Sequence, residues 1–260
     1  MSPFALLLLP MLVTSAPSAG PALRAPTAAT PRADLHARMD GVLARVPAQR
    51  GERLNAHILD EVAHLARQRG LHYGWVRGED TDGVSRPLMW GAAALAVPDP
   101  GGSVHCSGVT FEVWLRALTR VVGPDSLDAD AAGIDSSTLL SLKESWYNRD
   151  GSERGPVAAL LDAGLGEPIT SLEALQPGDL VQFWRNNGNG HSAVFMGHTH
   201  TRSGAIRGMV FWSAQASSGG VGSRYVSVGP SDAQITPGRL YGVRAVAPAG
   251  GSASGVSPGQ

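Results

Sequence analysis

The chain has 260 residues, 43% of them hydrophobic and 17% charged, with a formal net charge of −1. That length suits one large domain or two small ones, and the composition is neither disordered nor membrane-embedded. A near-neutral charge supplies no basic field for nucleic acid and no acidic solvating bulk.

The start, "MSPFALLLLPMLVTSAPSAG", carries an apolar run from Phe4 to Val13 followed by small residues. The run is too short to span a bilayer and suits an export signal, although no Lys or Arg precedes it. Residues 1–20 therefore read as a signal peptide, 21–34 as a Pro/Ala linker, 35–246 as the folded domain and 247–260 as a flexible tail. An exported location, periplasmic or extracellular, follows.

Two amphipathic helices are expected first. Leu35, Met39, Val42, Leu43 and Val46 form one stripe, ended by Pro47; Leu54, Ile58, Val62 and Leu65 form another, with Gly70 at its C-terminal end. His57, Glu61 and His64 are expected on a solvated polar face, with no metal. Asp80, Asp82 and Gly83, and the run from Asp128, lack a full calcium-ligand set and read as turns.

The single cysteine, Cys106, follows the structure-breaking "PDPGGSVH" and opens a helix-period run through Val109, Val113, Trp114, Ala117, Leu118 and Val121. Further helices are expected over 135–146 and 156–163. The pattern then changes to "DLVQFW", "HSAVFMG", "GMVFWSAQ", "SRYVSVG" and "RLYGVRAV", short runs rich in Val and aromatics between Gly, Asn and Pro. Helices before strands predict an α+β domain with an antiparallel sheet.

With one cysteine no internal disulfide exists, so Cys106 is either a buried hydrophobe or a reactive thiol. At a helix start it meets unpaired N–H groups and the positive dipole end, which favour a thiolate and can hold an oxyanion. Of eight histidines, His36, His57 and His64 fall on polar helix faces, and His198 and His200 in an apparent hairpin loop. His105 adjoins the cysteine and is expected to point elsewhere, while His72 has no evident partner. His191 opens a strand after the flexible loop "NNGNG" and is the expected base. Hairpin arithmetic sets it opposite about Ala214, with Ser213 and Gln215 on one face of the facing strand. Gln215 can orient the imidazole through its amide oxygen, and Ser213 is the weaker orienter.

These segments are similar to a family. "PLMWGAAALAVPDPGGSVHCSGVTFEVW" and "LQPGDLVQFWRNNGNGHSAVFMG" resemble the two signature blocks of the NlpC-type cysteine peptidases, bacterial cell-wall hydrolases with a papain-like core, and more distantly the CHAP amidases. The resemblance implies a papain-like fold with Cys106 as nucleophile, His191 as base and Ser213 or Gln215 as third residue. The family's Tyr falls on Leu88, its Asp before the cysteine on His105, and its second Gly on Ala92. Extra helices lie between Asp125 and Gly166.

The expected activity is therefore an exported cysteine hydrolase cutting amide bonds, with peptidoglycan stem peptides as the implied substrate. Trp90, Ser107 and Gly190 are the expected substrate-binding residues; Trp90, Trp184 and Trp212 can wall a cleft but equally suit core packing. No cofactor, nucleic acid or membrane span is expected, and oligomeric state stays open. The alternatives are an acyltransferase, deamidase or secreted toxin using the same Cys–His pair, or a non-catalytic module on the same fold.

Overall fold

The computed structural model describes residues 52–75, 81–122 and 134–248. The expected signal peptide, linker, first helix with His36, and tail lie outside them, as does the Asp128 turn.

Four helices precede or interrupt the strands. Helix α1 spans Asn55–Leu65, α2 Cys106–Val122, α3 Ser136–Trp146 and α4 Pro156–Asp162. The expected stripe of α1 is the buried one, with Ile58, Val62 and Leu65 inside. Asp135 caps α3 by accepting from Thr138 N–H, and Pro156 starts α4, where a missing N–H costs nothing.

Ten strands follow the chain: β1 His72–Tyr73, β2 Leu88–Trp90, β3 Ala93–Ala96, β4 Ser103–Val104, β5 Gly166–Ile169, β6 Leu180–Arg185, β7 Gly190–His200, β8 Ile206–Gln215, β9 Gly220–Ser227 and β10 Ile235–Ala245. The last six form one antiparallel sheet in the order β5-β10-β6-β7-β8-β9. Mixed helix and antiparallel sheet is the α+β class expected. A bridge between Val228 and Ile235 brings the far edge back to β10, so the sheet curls.

Both faces of this sheet are buried. On one, Val194, Trp212 and Val243 meet Val109, Trp114 and Leu118 of α2, Ile58 of α1 and Trp146 of α3. On the other, Val181, Phe183, Ala193, Phe195, Met209 and Phe211 form a second core inside the curl. Helix α2 is buried over most of its length, its polar Thr110 and Glu112 included, because α1, α3 and the sheet surround it.

Three expectations are corrected. Glu61 is fully buried rather than solvated, because Arg116 and Arg120 of α2 reach it across the helix pair. His198 and His200 belong to β7, since the hairpin continues to a tight Thr201–Ala205 turn; His198 Nε2 donates to Leu172 O at 2.7 Å. The loop before His191 is held down: Asn186 Nδ2 donates to the Gly229 and Ser231 carbonyls, and Asn187 N–H to Asp232 O.

Candidate active site

Cys106 is the first residue of α2 and is half-buried. Its helix start is fixed from both sides. His105 Nδ1 accepts from Gly108 N–H at 3.2 Å, while its Nε2–H donates to Thr81 O at 3.0 Å. The neighbouring imidazole thus does the work of an N-cap carboxylate, and burial pulls its pKa down, keeping it neutral. Thr110 Oγ1 donates to Cys106 O at 2.8 Å and accepts from Trp146 Nε1, locking the first turn against α3.

This packing is tight enough to require glycine twice. Gly83 has φ +58, and a Cβ there would lie 2.2 Å from the His105 ring. A Cβ on Gly108 would sit 2.2 Å from Gly83 O and 2.3 Å from Asp82 O. Both carbonyls belong to a loop that Asp82 anchors through Lys143 and Val97 N–H. Gly108→Ala is expected to cost about 1–3 kcal/mol by overpacking. Urea denaturation checks this, and an unchanged midpoint would mean the loop yields freely.

With Gly108 N–H capped and Val109 N–H bonded to His105 O, the Cys106 and Ser107 N–H groups have no acceptor among the described residues. Two unpaired donors beside a thiol at the positive end of a 17-residue helix can receive an anion.

His191 lies on the sheet face of the second core. Its ring centroid is 5.4 Å from each of Phe183 and Phe211, and the residue is 6% exposed. Ser192, alternating to the other face, meets α2 through Ser107, with the two Oγ atoms 3.4 Å apart. Ser192 Oγ also donates to Gln182 Oε1 at 2.6 Å. Only their neighbours Ser107 and Ser192 meet: His191 faces the second core, no polar contact joins it to Cys106 among the described residues, and the thiol's one polar contact is Ser107 Oγ at 3.9 Å.

The β7–β8 register runs one residue beyond the expected one, pairing Val194 with Trp212. Continued three residues past that pair, it sets Gln215 opposite His191. Alternation from Phe211 puts Ser213 and Gln215 on the His191 face, while Trp212 and Ala214 join the main core. Ser213 is occupied, its Oγ donating to Ser192 O at 2.7 Å. His191 Nε2 and Gln215 Nε2, by contrast, are both buried without a hydrogen-bond partner.

Burial, with Arg185 adding its charge, pulls the His191 imidazole down to about 3. The ring is neutral in the folded protein, whereas in the unfolded chain it titrates near ~6.5. Its stabilising contribution is complete above that pH and is lost as pH falls from there toward 3. The slope approaches about 1.4 kcal/mol per pH unit for one proton. Buried His105 shifts in the same direction. Urea midpoints between pH 7.5 and 4.5 are expected to fall, with a shallower fall in His191→Gln; identical slopes would contradict the assignment.

The other expected substrate residues have structural surroundings. Trp90 is packed in the main core with Nε1 donating to Ile134 O, and Gly190 lies against the Trp184 ring. Two residues near the thiol had no sequence signal. Tyr73 pairs with Val104 just before Cys106, and burial first, then the thiol's charge, raises its phenol. Arg185, half-buried at the end of β6, feels the same charge. Only their tertiary placement brings them here.

No protein-family model, curated protein or solved structure matches the chain significantly. Among the described residues no helix is long and apolar enough to cross a membrane.

Proposed function

We propose that the protein is an exported cysteine hydrolase of the papain-like kind, cutting amide bonds in peptidoglycan stem peptides. The observation that carries this reading is the pair of buried, unpartnered nitrogens on His191 and Gln215, whose positions face each other when the β7–β8 register is continued past Val194 and Trp212. Buried polar atoms are ordinarily satisfied, and an exception calls for an explanation, of which a catalytic role is one. A half-turn of the Gln215 amide replaces Nε2 by the acceptor Oε1. His191 Nε2–H then donates to it, fixing the tautomer and leaving Nδ1 as the base for the thiol.

In this mechanism His191 takes the Cys106 proton as the thiolate attacks the amide carbonyl, which requires the Gln215 bond and the thiolate's own charge to raise the imidazole from about 3. The tetrahedral oxyanion is received by the free Cys106 and Ser107 N–H groups. Collapse breaks the C–N bond, the amine leaves with the proton from His191, and water hydrolyses the thioester. The thiol and imidazole are not hydrogen-bonded in the unliganded protein, a common state for catalytic pairs that tighten around substrate. The resemblance to NlpC-type enzymes supports the choice of substrate.

The test is digestion of purified peptidoglycan, with fragments identified by mass, alongside the rate of Cys106 alkylation. Stem-peptide products and alkylation slowed by His191→Gln are expected. Alkylation no faster than that of a free thiol, unaffected by His191→Gln, would sink the catalytic reading.

A further inference from the structure

Arg185 is an anomalous charge among the described residues. Arg116, Arg120, Arg239 and Arg244 each reach a carboxylate. Arg185 has none among the described residues, yet it is half-buried, and that burial weakens its hold on its proton. A partly desolvated guanidinium without a counter-ion is unfavourable unless something else meets it.

Its position is fixed. Phe183 pairs with His191 across β6 and β7, so Arg185, two residues on, is a diagonal neighbour of His191 on the same sheet face. The guanidinium lies over the Phe183 ring, 5.1 Å from its centroid. Its backbone N–H donates to Asn189 O, and Ile235 pairs with it from β10. The loop that follows is tied to residues 229–234 by Asn186. Its charge is felt by His191 and answers to that of Cys106.

We propose that Arg185 is a substrate-binding residue that receives a carboxylate next to the scissile amide. The site would then select acyl substrates bearing a free carboxylate over their amidated or neutral counterparts. This rests on the Cys106–His191 reading and names the chemistry of its substrate. A planar guanidinium presents two parallel N–H donors that match a carboxylate, which an ammonium does not. The cation–π contact with Phe183 keeps the guanidinium in place before the ligand arrives.

The experiment uses two alkylating probes of nearly equal size, anionic iodoacetate and neutral iodoacetamide, on the full chain. The rate ratio of iodoacetate to iodoacetamide at Cys106 is expected to drop roughly five- to tenfold in Arg185→Gln, the effect of one charge at short range in a partly screened site. Arg185→Lys is expected to keep much of the ratio, and added salt to lower it in the wild type, which needs no variant to fold. An equal ratio in wild type and Arg185→Gln, or both probes slowed alike, would overturn the proposal; the latter would make Arg185 a thiolate stabiliser. Slow reaction of both probes in the wild type, unchanged by His191→Gln, instead removes the underlying site. Where cleavage is followed, Arg185→Gln should raise KM for a carboxylate-bearing peptide and not for its amide.

Discussion

Cys106→Ala is expected to lower amide hydrolysis by about 10⁴-fold or more while leaving the protein folded. The asymmetry follows from how the thiol is held. Its side chain is half-buried, and its one polar contact among the described residues is a weak one to Ser107 Oγ. Removing it takes away one sulfur and no cap, because the first turn of α2 is secured by His105, Thr110 and Trp146. The stability change should stay within about 1 kcal/mol. Chemically the loss is complete, since no other residue can form the thioester. Peptidoglycan fragments by mass and a thermal melt check both halves. A variant that cleaves like the wild type would remove Cys106 from the mechanism.

The sheet was legible because its strands are runs of Val and aromatics broken by Gly, Asn and Pro. Helix α2 was legible because its apolar spacing is sustained from Val109 to Val121. What could not be read was the direction in which each strand residue points. In β7 both Ala193 and Val194 are fully buried, in different cores, so no alternation marks which face Ser192 or His191 takes. The hairpin arithmetic came within one residue: continued past Val194 and Trp212, the structure's register falls on Gln215 beside Ala214. Strands β1 to β4 have two to four residues each, below any periodicity. Glu61 turned inward because its partners lie on another helix. Arg185 and Tyr73 come within range of the thiol's charge through tertiary packing that no local pattern encodes.

Asp179→Ala should cost about 3–5 kcal/mol, the largest single loss of stability expected here, because it strands a partly buried charge. Asp179 is fully buried at the turn entering β6. Arg244 of β10 meets it with two bonds, Nε to Oδ1 at 2.9 Å and Nη2 to Oδ2 at 2.8 Å. Asn55 Nδ2, at the start of α1, donates to Oδ1, and Gln176 N–H to Oδ2. The Asp179 carbonyl takes Phe195 N–H from β7. One carboxylate thus ties α1, β6 and β10 together at the opposite end of β6 from Arg185. Alanine leaves the Arg244 guanidinium, Asn55 Nδ2 and Gln176 N–H without the carboxylate, while the backbone bond from Phe195 N–H remains. Truncating both ends should cost less than the sum of the single changes, since the second removal relieves the stranded charge. Urea unfolding of Asp179→Ala, Arg244→Ala and the pair measures this, and strictly additive losses would show that the ion pair contributes no coupling. Cleavage per folded molecule should survive in Asp179→Ala, because the carboxylate acts by holding the sheet that carries His191 and Arg185 and touches neither. A fall in kcat at temperatures where the variant is fully folded would show that β6 transmits strain to the site.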